Sequence, residues 1–156
     1  MNVLFICTGN TCRSPMAEAL LAAKSSYYNV KSAGIFANEH ESANENTIKV
    51  LKEENIELEH RAQMVTDELL SWADVVLTMT SQHKNHLLLQ NATYQHKYFT
   101  LIEYVNKESK DDNQTRMDIA DPFGGDLTDY KNTLNELHSY INKFINITDK
   151  SGGNNQ

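Results

Sequence analysis

Apolar residues open the chain without a break, Val3, Leu4, Phe5 and Ile6 standing in a row. A short continuous apolar run predicts a strand buried on both faces, as in a parallel sheet, not an alternating half-exposed one. Polar residues follow from Cys7 to Arg13, with Gly9 and Asn10 among them, and read as a loop. Ser14-Pro15 then predicts a helix start, Ser14 as N-cap and Pro15 at the first helical position. Met16, Leu20 and Ala23 follow at helical spacing, so the chain opens strand, loop, helix.

The pattern continues in the same alternation. Val30 to Ala33 predicts a strand ended by Gly34, and Ala43 to Glu54 a helix with Thr47, Ile48 and Leu51 towards the core. Thr66 or Asp67 caps a short helix holding Leu69, Leu70 and Trp72. Asp74 to Met79 is a third buried strand, Ser81 to about Leu89 a helix, Lys97 to Thr100 a fourth strand, and Leu101 to Val105 a helical turn. Lys107 to Met117 is charged and amide-rich, hence a loop. Asp121 to Gly125 is another, because Pro122 pushes Asp121 out of helical geometry. The last helix begins near Asp126, with Tyr130, Leu134, Leu137, Ile141 and Phe144 as one apolar stripe. Residues 151–156 read as a disordered tail behind a single domain over 1–150. Strands alternating with helices imply an α/β fold, a doubly wound parallel sheet flanked by helices on both faces. Ligands of such sheets bind at the carboxyl ends of strands, where the loop from Cys7 to Arg13 lies.

That loop has the chemistry of an anion cradle. A loop feeding a helix N-terminus presents unpaired N–H groups and the positive end of a helix dipole. Gly9 and Asn10 suit the positive φ that a backbone nest needs. Arg13 can grip two phosphate oxygens at once. Cys7 stands at the mouth of the nest, where the field that holds phosphate also stabilises a thiolate, and the Ser14 hydroxyl can hydrogen-bond the sulfur. Such a thiolate attacks phosphorus in line and gives a phosphocysteine. The leaving atom then needs a proton and the hydrolytic water must lose one, a task for one carboxyl group in turn. Two carboxylates compete for it, Asp121, rigidified by Pro122, and Asp118.

Composition narrows the setting. With 156 residues the chain can bury a full core. A net charge of −7 opposes phosphodiester backbones, so no nucleic-acid partner is expected. The N-terminus lacks a basic region and a long apolar run, and no segment is apolar enough to span a bilayer, so no membrane partner is expected either. Two cysteines are too few for a disulfide framework, so the expected setting is the cytoplasm, where thiols stay reduced. A monomer is expected. His83 and His86 share a helix and His96 lies beyond, but no carboxylate or cysteine completes a metal set, and a solvated helix surface is the expected role. The chemistry needs no cofactor or metal.

Cys7-Thr8-Gly9-Asn10-Thr11-Cys12-Arg13-Ser14-Pro15 resembles the signature loop of the low-molecular-weight protein tyrosine phosphatases. The resemblance extends through Ser32-Ala33-Gly34, His60-Arg61-Ala62, Ala73-Asp74 and Asp121-Pro122. It implies a four-stranded parallel sheet in the order 2-1-3-4. It also implies Cys7 as nucleophile, Arg13 and the loop from Thr8 to Ser14 as the phosphate site, Asn10 and Ser14 as supports of loop and thiolate, and Asp121 as general acid. Thr11 stands where tyrosine-specific members carry an apolar residue, and Phe123-Gly124-Gly125 where they carry aromatic ones. Both departures resemble the protein arginine phosphatase branch, whose substrates are phosphorylated proteins. Thr11 could then bond the substrate or orient water, and Phe123 could stack on the guanidine plane, with the paired glycines leaving room. A tyrosine phosphatase of the same fold is the alternative, ahead of an arsenate reductase, which would want further cysteines, or a non-enzymatic phosphate-binding module. Cys12 is open between a resolving thiol for oxidised Cys7 and a small filler beneath the loop.

Overall fold

The computed structural model describes residues 1–107 and 116–153. Its strands are β1 (Asn2–Cys7), β2 (Asn29–Gly34), β3 (Val75–Thr78) and β4 (Tyr98–Thr100). They form one sheet in the order β2-β1-β3-β4, every pair parallel. The helices are α1 (Arg13–Lys24), α2 (Glu45–Lys52), α3 (Asp67–Trp72), α4 (Ser81–Gln90), α5 (Leu101–Asn106) and α6 (Leu127–Gly153), with a 3₁₀ stretch at Ala92–Lys97 that the pattern did not predict.

The unbroken apolar run of β1 has its reason in this layering. Val3, Phe5 and Cys7 join a core that also holds Met16 and Leu20 of α1, Leu51 of α2, Leu101 and Ile102 of α5 and the stripe of α6. Leu4 and Ile6 join a second core with Leu69, Leu70, Val76, Leu87 and Tyr98 on the opposite face. A central parallel strand covered on both sides has no polar face to alternate. The α6 stripe behaves as its period requires, since Tyr130, Leu134, Leu137, Ile141 and Phe144 are all nearly solvent-free. Among the described residues no helix is long and apolar enough to cross a membrane.

Two expectations of boundary and two of burial are corrected. Ser14 does not cap α1, because the helix already begins at Arg13 with Cys12 at the cap and no side-chain cap bond. Pro15 is therefore its third residue, still within the turn whose N–H groups have no helical acceptor. On α2, Val50 is buried and Ile48 is exposed, because the 3.6-residue period aligns Thr47, Val50 and Leu51. Ala23 lies on the exposed side of α1. Helix α6 runs to Gly153, so the first three residues of the expected tail are helical and 154–156 lie outside the described residues. Residues 108–115 of the expected loop also lie outside them.

Candidate active site

Five helices carry a side-chain cap: Asn44 for α2, Thr66 for α3, Thr80 for α4, Thr100 for α5 and Asp126 for α6. Helix α1 has none. Its first turn instead faces the loop that leaves β1, and the two together build the cradle. Register carries Cys7 to the last rung of the sheet, opposite Gly34. The Ile35 and Phe36 amides donate to the carbonyls of Cys7 and Thr8, both at 3.0 Å. A Cβ on Gly34 would lie 2.4 Å from the Thr8 carbonyl, so this strand end accepts only glycine without moving the loop.

The Cys7 thiol is buried, and donors converge on it. The Asn10 amide reaches Sγ at 3.2 Å and the Ser14 hydroxyl lies 2.8 Å away. Ser14 Oγ accepts from Asn10 Nδ2 at 2.9 Å, which leaves its own proton for the sulfur. Asn10 holds the nest together. It takes the left-handed conformation, φ 57°, while Gly9, also expected there, does not. Its amide donates a second bond to Ser32 Oγ at 2.9 Å, and its Oδ1 accepts from the Gln63 amide at 3.0 Å. Asn10 and Ser14 are fully buried beneath the loop and brace it without lining the cavity.

A second layer stands behind. His60 Nε2 donates to the Asn10 carbonyl at 2.6 Å, and Ser32 Oγ donates to Glu18 Oε1 at 2.5 Å. Burial pushes the Glu18 carboxyl above its ordinary range, against the Ser32 bond and the nearby His60 ring.

The structure separates the two competing carboxylates. Asp118 Oδ1 accepts from the Ser81 amide (2.8 Å) and hydroxyl (3.2 Å) and so anchors the start of α4. Asp121 Oδ2 lies 3.5 Å from Arg13 Nη2, its Oδ1 accepts from the Phe123 amide at 3.1 Å, and its side chain is half exposed. Arg13 is itself buried, with Nη1 donating to the Ile119 carbonyl at 2.9 Å. Asp121 and Phe123 line the same cavity as Cys7, Thr8, Gly9, Thr11, Cys12 and Arg13; its volume is about 270 Å³. Asp118 does not line it.

Three side chains escaped the sequence reading or were misplaced by it. His83 is not solvated: it is 4% exposed. It accepts at Nδ1 from the Thr80 amide (3.2 Å), so its remaining proton sits on Nε2 and donates to Thr8 Oγ1 at 2.8 Å. Burial first, and the Arg13 charge second, lower its pKa to about 4, so it is neutral near pH 7. A helical pattern marks His83 only as one polar residue among several; nothing local says that it meets the loop. His86 does keep a partly exposed position, against Phe36, and His96 is exposed. Asn38 and Glu41 complete the cavity wall from the segment after β2, where they read as ordinary surface polar residues.

Cys12 is buried, with Sγ 3.6 Å from the Tyr130 hydroxyl, and burial pushes its thiol up in pKa. Thr11 faces the cavity, while its carbonyl accepts from the Asn44 amide at 2.9 Å. The glycine pair after Phe123 has a backbone role. Gly124 has φ 85° in a turn closed by the Gly125 amide on the Pro122 carbonyl (2.9 Å), and a Cβ on Gly125 would strike the Asp129 side chain.

A buried cysteine with a hydroxyl and a backbone amide within reach of its sulfur, at the carboxyl edge of a parallel sheet and open to a cavity shared with Arg13 and Asp121, defines the class of site in this α/β protein. The chain belongs to the low molecular weight phosphotyrosine protein phosphatase family, whose model matches residues 2–153. It is 42% identical to the protein-arginine-phosphatase of Bacillus subtilis, over 90% of this chain and 92% of that one. The YwlE arginine phosphatase of Geobacillus stearothermophilus superposes with a TM-score of 0.92 at 40% identity, covering 99% of this chain and 97% of the other. A cysteine-to-serine mutant of YwlE arginine phosphatase with a phosphorylated active-site serine superposes with a TM-score of 0.89 at 40% identity, covering 96% and 97%.

Proposed function

We propose that this chain hydrolyses phosphoarginine on proteins through a phosphocysteine intermediate. The observation that carries the reading is the convergence in one cavity of a donor-ringed Cys7 Sγ, the Arg13 fork and the Asp121 carboxyl. The similarity to arginine phosphatases supports the substrate. The geometry supports the following residue roles. The nest amides and Arg13 bind the nonbridging phosphoryl oxygens and stabilise their charge in the transition state. The Cys7 thiolate attacks phosphorus, an S–P bond forms and the P–N bond breaks. Asp121, protonated, gives its proton to the leaving guanidine nitrogen. As carboxylate it then takes a proton from water that attacks phosphorus, the S–P bond breaks, and inorganic phosphate and thiolate are released.

The site residues are thus Cys7, Arg13 and Asp121 for chemistry. Thr8, Gly9, Thr11 and Cys12 shape the phosphate pocket, Asn10 and Ser14 brace it, and Phe123 serves as the ring wall. A reduced thiol nucleophile fits a cytoplasmic protein acting on phosphorylated proteins, and an acidic surface gives no footing to nucleic acid. Cys12, five residues from Cys7 in a tight loop, serves as a reversible trap for oxidised Cys7. Peroxide inactivation should therefore reverse with a thiol reductant in the wild type and not in Cys12→Ser. Equal irreversible loss in both removes that role.

The test of function is kcat/KM on phosphoarginine and phosphotyrosine versions of one peptide, with Cys7→Ser as the blank. Preference for phosphoarginine, abolished by Cys7→Ser, is expected. Preference for phosphotyrosine would overturn the substrate assignment, and phosphate binding without turnover would overturn the enzyme.

A further inference from the structure

Beside the phosphate nest the cavity wall carries a second carboxylate. Glu41 lines it together with Asn38, and Asn38 Nδ2 donates to Glu41 Oε2 at 3.3 Å. The segment holding them is pinned to its neighbour. The Ala62 amide donates to the Glu41 carbonyl, the His40 amide to the Ala62 carbonyl, both at 2.8 Å, and Ser42 bridges antiparallel to Arg61. His40 takes φ 69° to make the bend. The Glu41 side chain thus springs from fixed backbone.

Its charge is hard to reconcile with a simple anion site. Asp121 stands against Arg13, but Glu41 enters no ion pair among the described residues. An unpaired carboxylate on the wall of a phosphate pocket repels the dianion the pocket is built for. The placement makes sense if the group attached to phosphorus is cationic and rich in donors. Asn38 Nδ2 already donates to Glu41 Oε2, so what this wall has left to offer a ligand includes the side-chain Asn38 Oδ1 and Glu41 Oε1, both acceptors. A guanidinium presents only N–H donors and positive charge, and a phenyl ring offers neither.

We infer that Glu41, oriented by Asn38, is a specificity-determining residue that reads the guanidinium of phosphoarginine and disfavours aryl phosphates. This rests on the phosphoarginine reading above and assigns it a residue outside the signature loop and the Asp-Pro segment.

The experiment compares phosphoarginine and phosphotyrosine forms of one peptide across the wild type, Glu41→Gln, Glu41→Lys and Asn38→Ala. An exposed charge contact carries a modest effect, so Glu41→Gln should lower kcat/KM on phosphoarginine about threefold, and Glu41→Lys about tenfold. Phosphotyrosine turnover should hold or rise in both, which also reports that the fold and the thiol are intact. Asn38→Ala should lower phosphoarginine turnover about twofold. A wild type that prefers phosphoarginine, with a ratio unmoved by Glu41→Lys or with both substrates falling alike, overturns this inference alone. A wild type that prefers phosphotyrosine overturns the phosphoarginine reading and this one with it.

Discussion

Asn10 offers the sharpest test of how the cradle is held. Replacing it by Ala removes three side-chain hydrogen bonds, to Ser14, Ser32 and the Gln63 amide. Each contributes about 1 kcal/mol. The position is fully buried, so the stranded Gln63 amide adds a desolvation cost of about 1 kcal/mol or more. The backbone sits at φ 57°, where Ala costs about 1 kcal/mol that Asn partly escapes. The sum is a loss of about 4–5 kcal/mol. Asn10→Gly suffers the same lost bonds but not the backbone strain, so it should be about 1 kcal/mol more stable than Asn10→Ala. Urea unfolding gives both values from the shift in midpoint at constant slope. The same variants should lose kcat by about a hundredfold, because the Asn10 side chain orients Ser14 at Cys7 Sγ and holds the loop whose backbone amide reaches the sulfur. An Asn10→Ala cost below about 1 kcal/mol, or a Gly variant less stable than the Ala one, would refute the bracing role and the strain argument respectively.

Three further outcomes are expected. Asp121→Asn should lower kcat on phosphoarginine peptides about 10²–10³-fold and lower it far less on p-nitrophenyl phosphate, whose leaving group needs little protonation, while Asp118→Ala, which removes the acceptor for Ser81, costs about 1 kcal/mol of stability and little rate; equal rate losses would return the two carboxylates to competition. His83 is neutral in the fold with a pKa of about 4 against 6.5 unfolded, so below pH 6.5 the unfolded chain binds the extra proton and stability falls towards pH 4 by about 3 kcal/mol, a slope that urea midpoints of His83→Gln should lack. Thr11→Ile places an apolar side chain on the cavity wall and should move the kcat/KM ratio from phosphoarginine towards phosphotyrosine; an unchanged ratio sinks its specificity role.

What the linear chain determined on its own is whatever lies close in sequence. The buried strand before Cys7, the loop that follows it and the α6 stripe are local patterns, and each is where its pattern placed it, with the helix behind the loop starting at Arg13, one residue before the expected cap. The signature of nine residues is legible because a loop between strand and helix carries the thiol and its own amides in one short stretch, although Ser32, His60 and Gln63 from elsewhere in the chain hold it in shape. Only the tertiary structure decided the remainder. Asp118 and Asp121 differ by three positions and are equal by composition; packing sends one to the start of α4 and the other to Arg13. His83 reads as helix surface, yet α4 lies against the sheet edge and turns it inward to Thr8, 75 residues away in the chain. Ser14 reads as a cap, but Asn10 and the sulfur take its hydroxyl, because α1 leaves its end open towards the cavity. Glu41 and Asn38 carry no local signal at all. They belong to the cavity because the segment after β2 is tied to Ala62 and folds over the nest, and a contact of that kind depends on where two distant stretches of backbone meet.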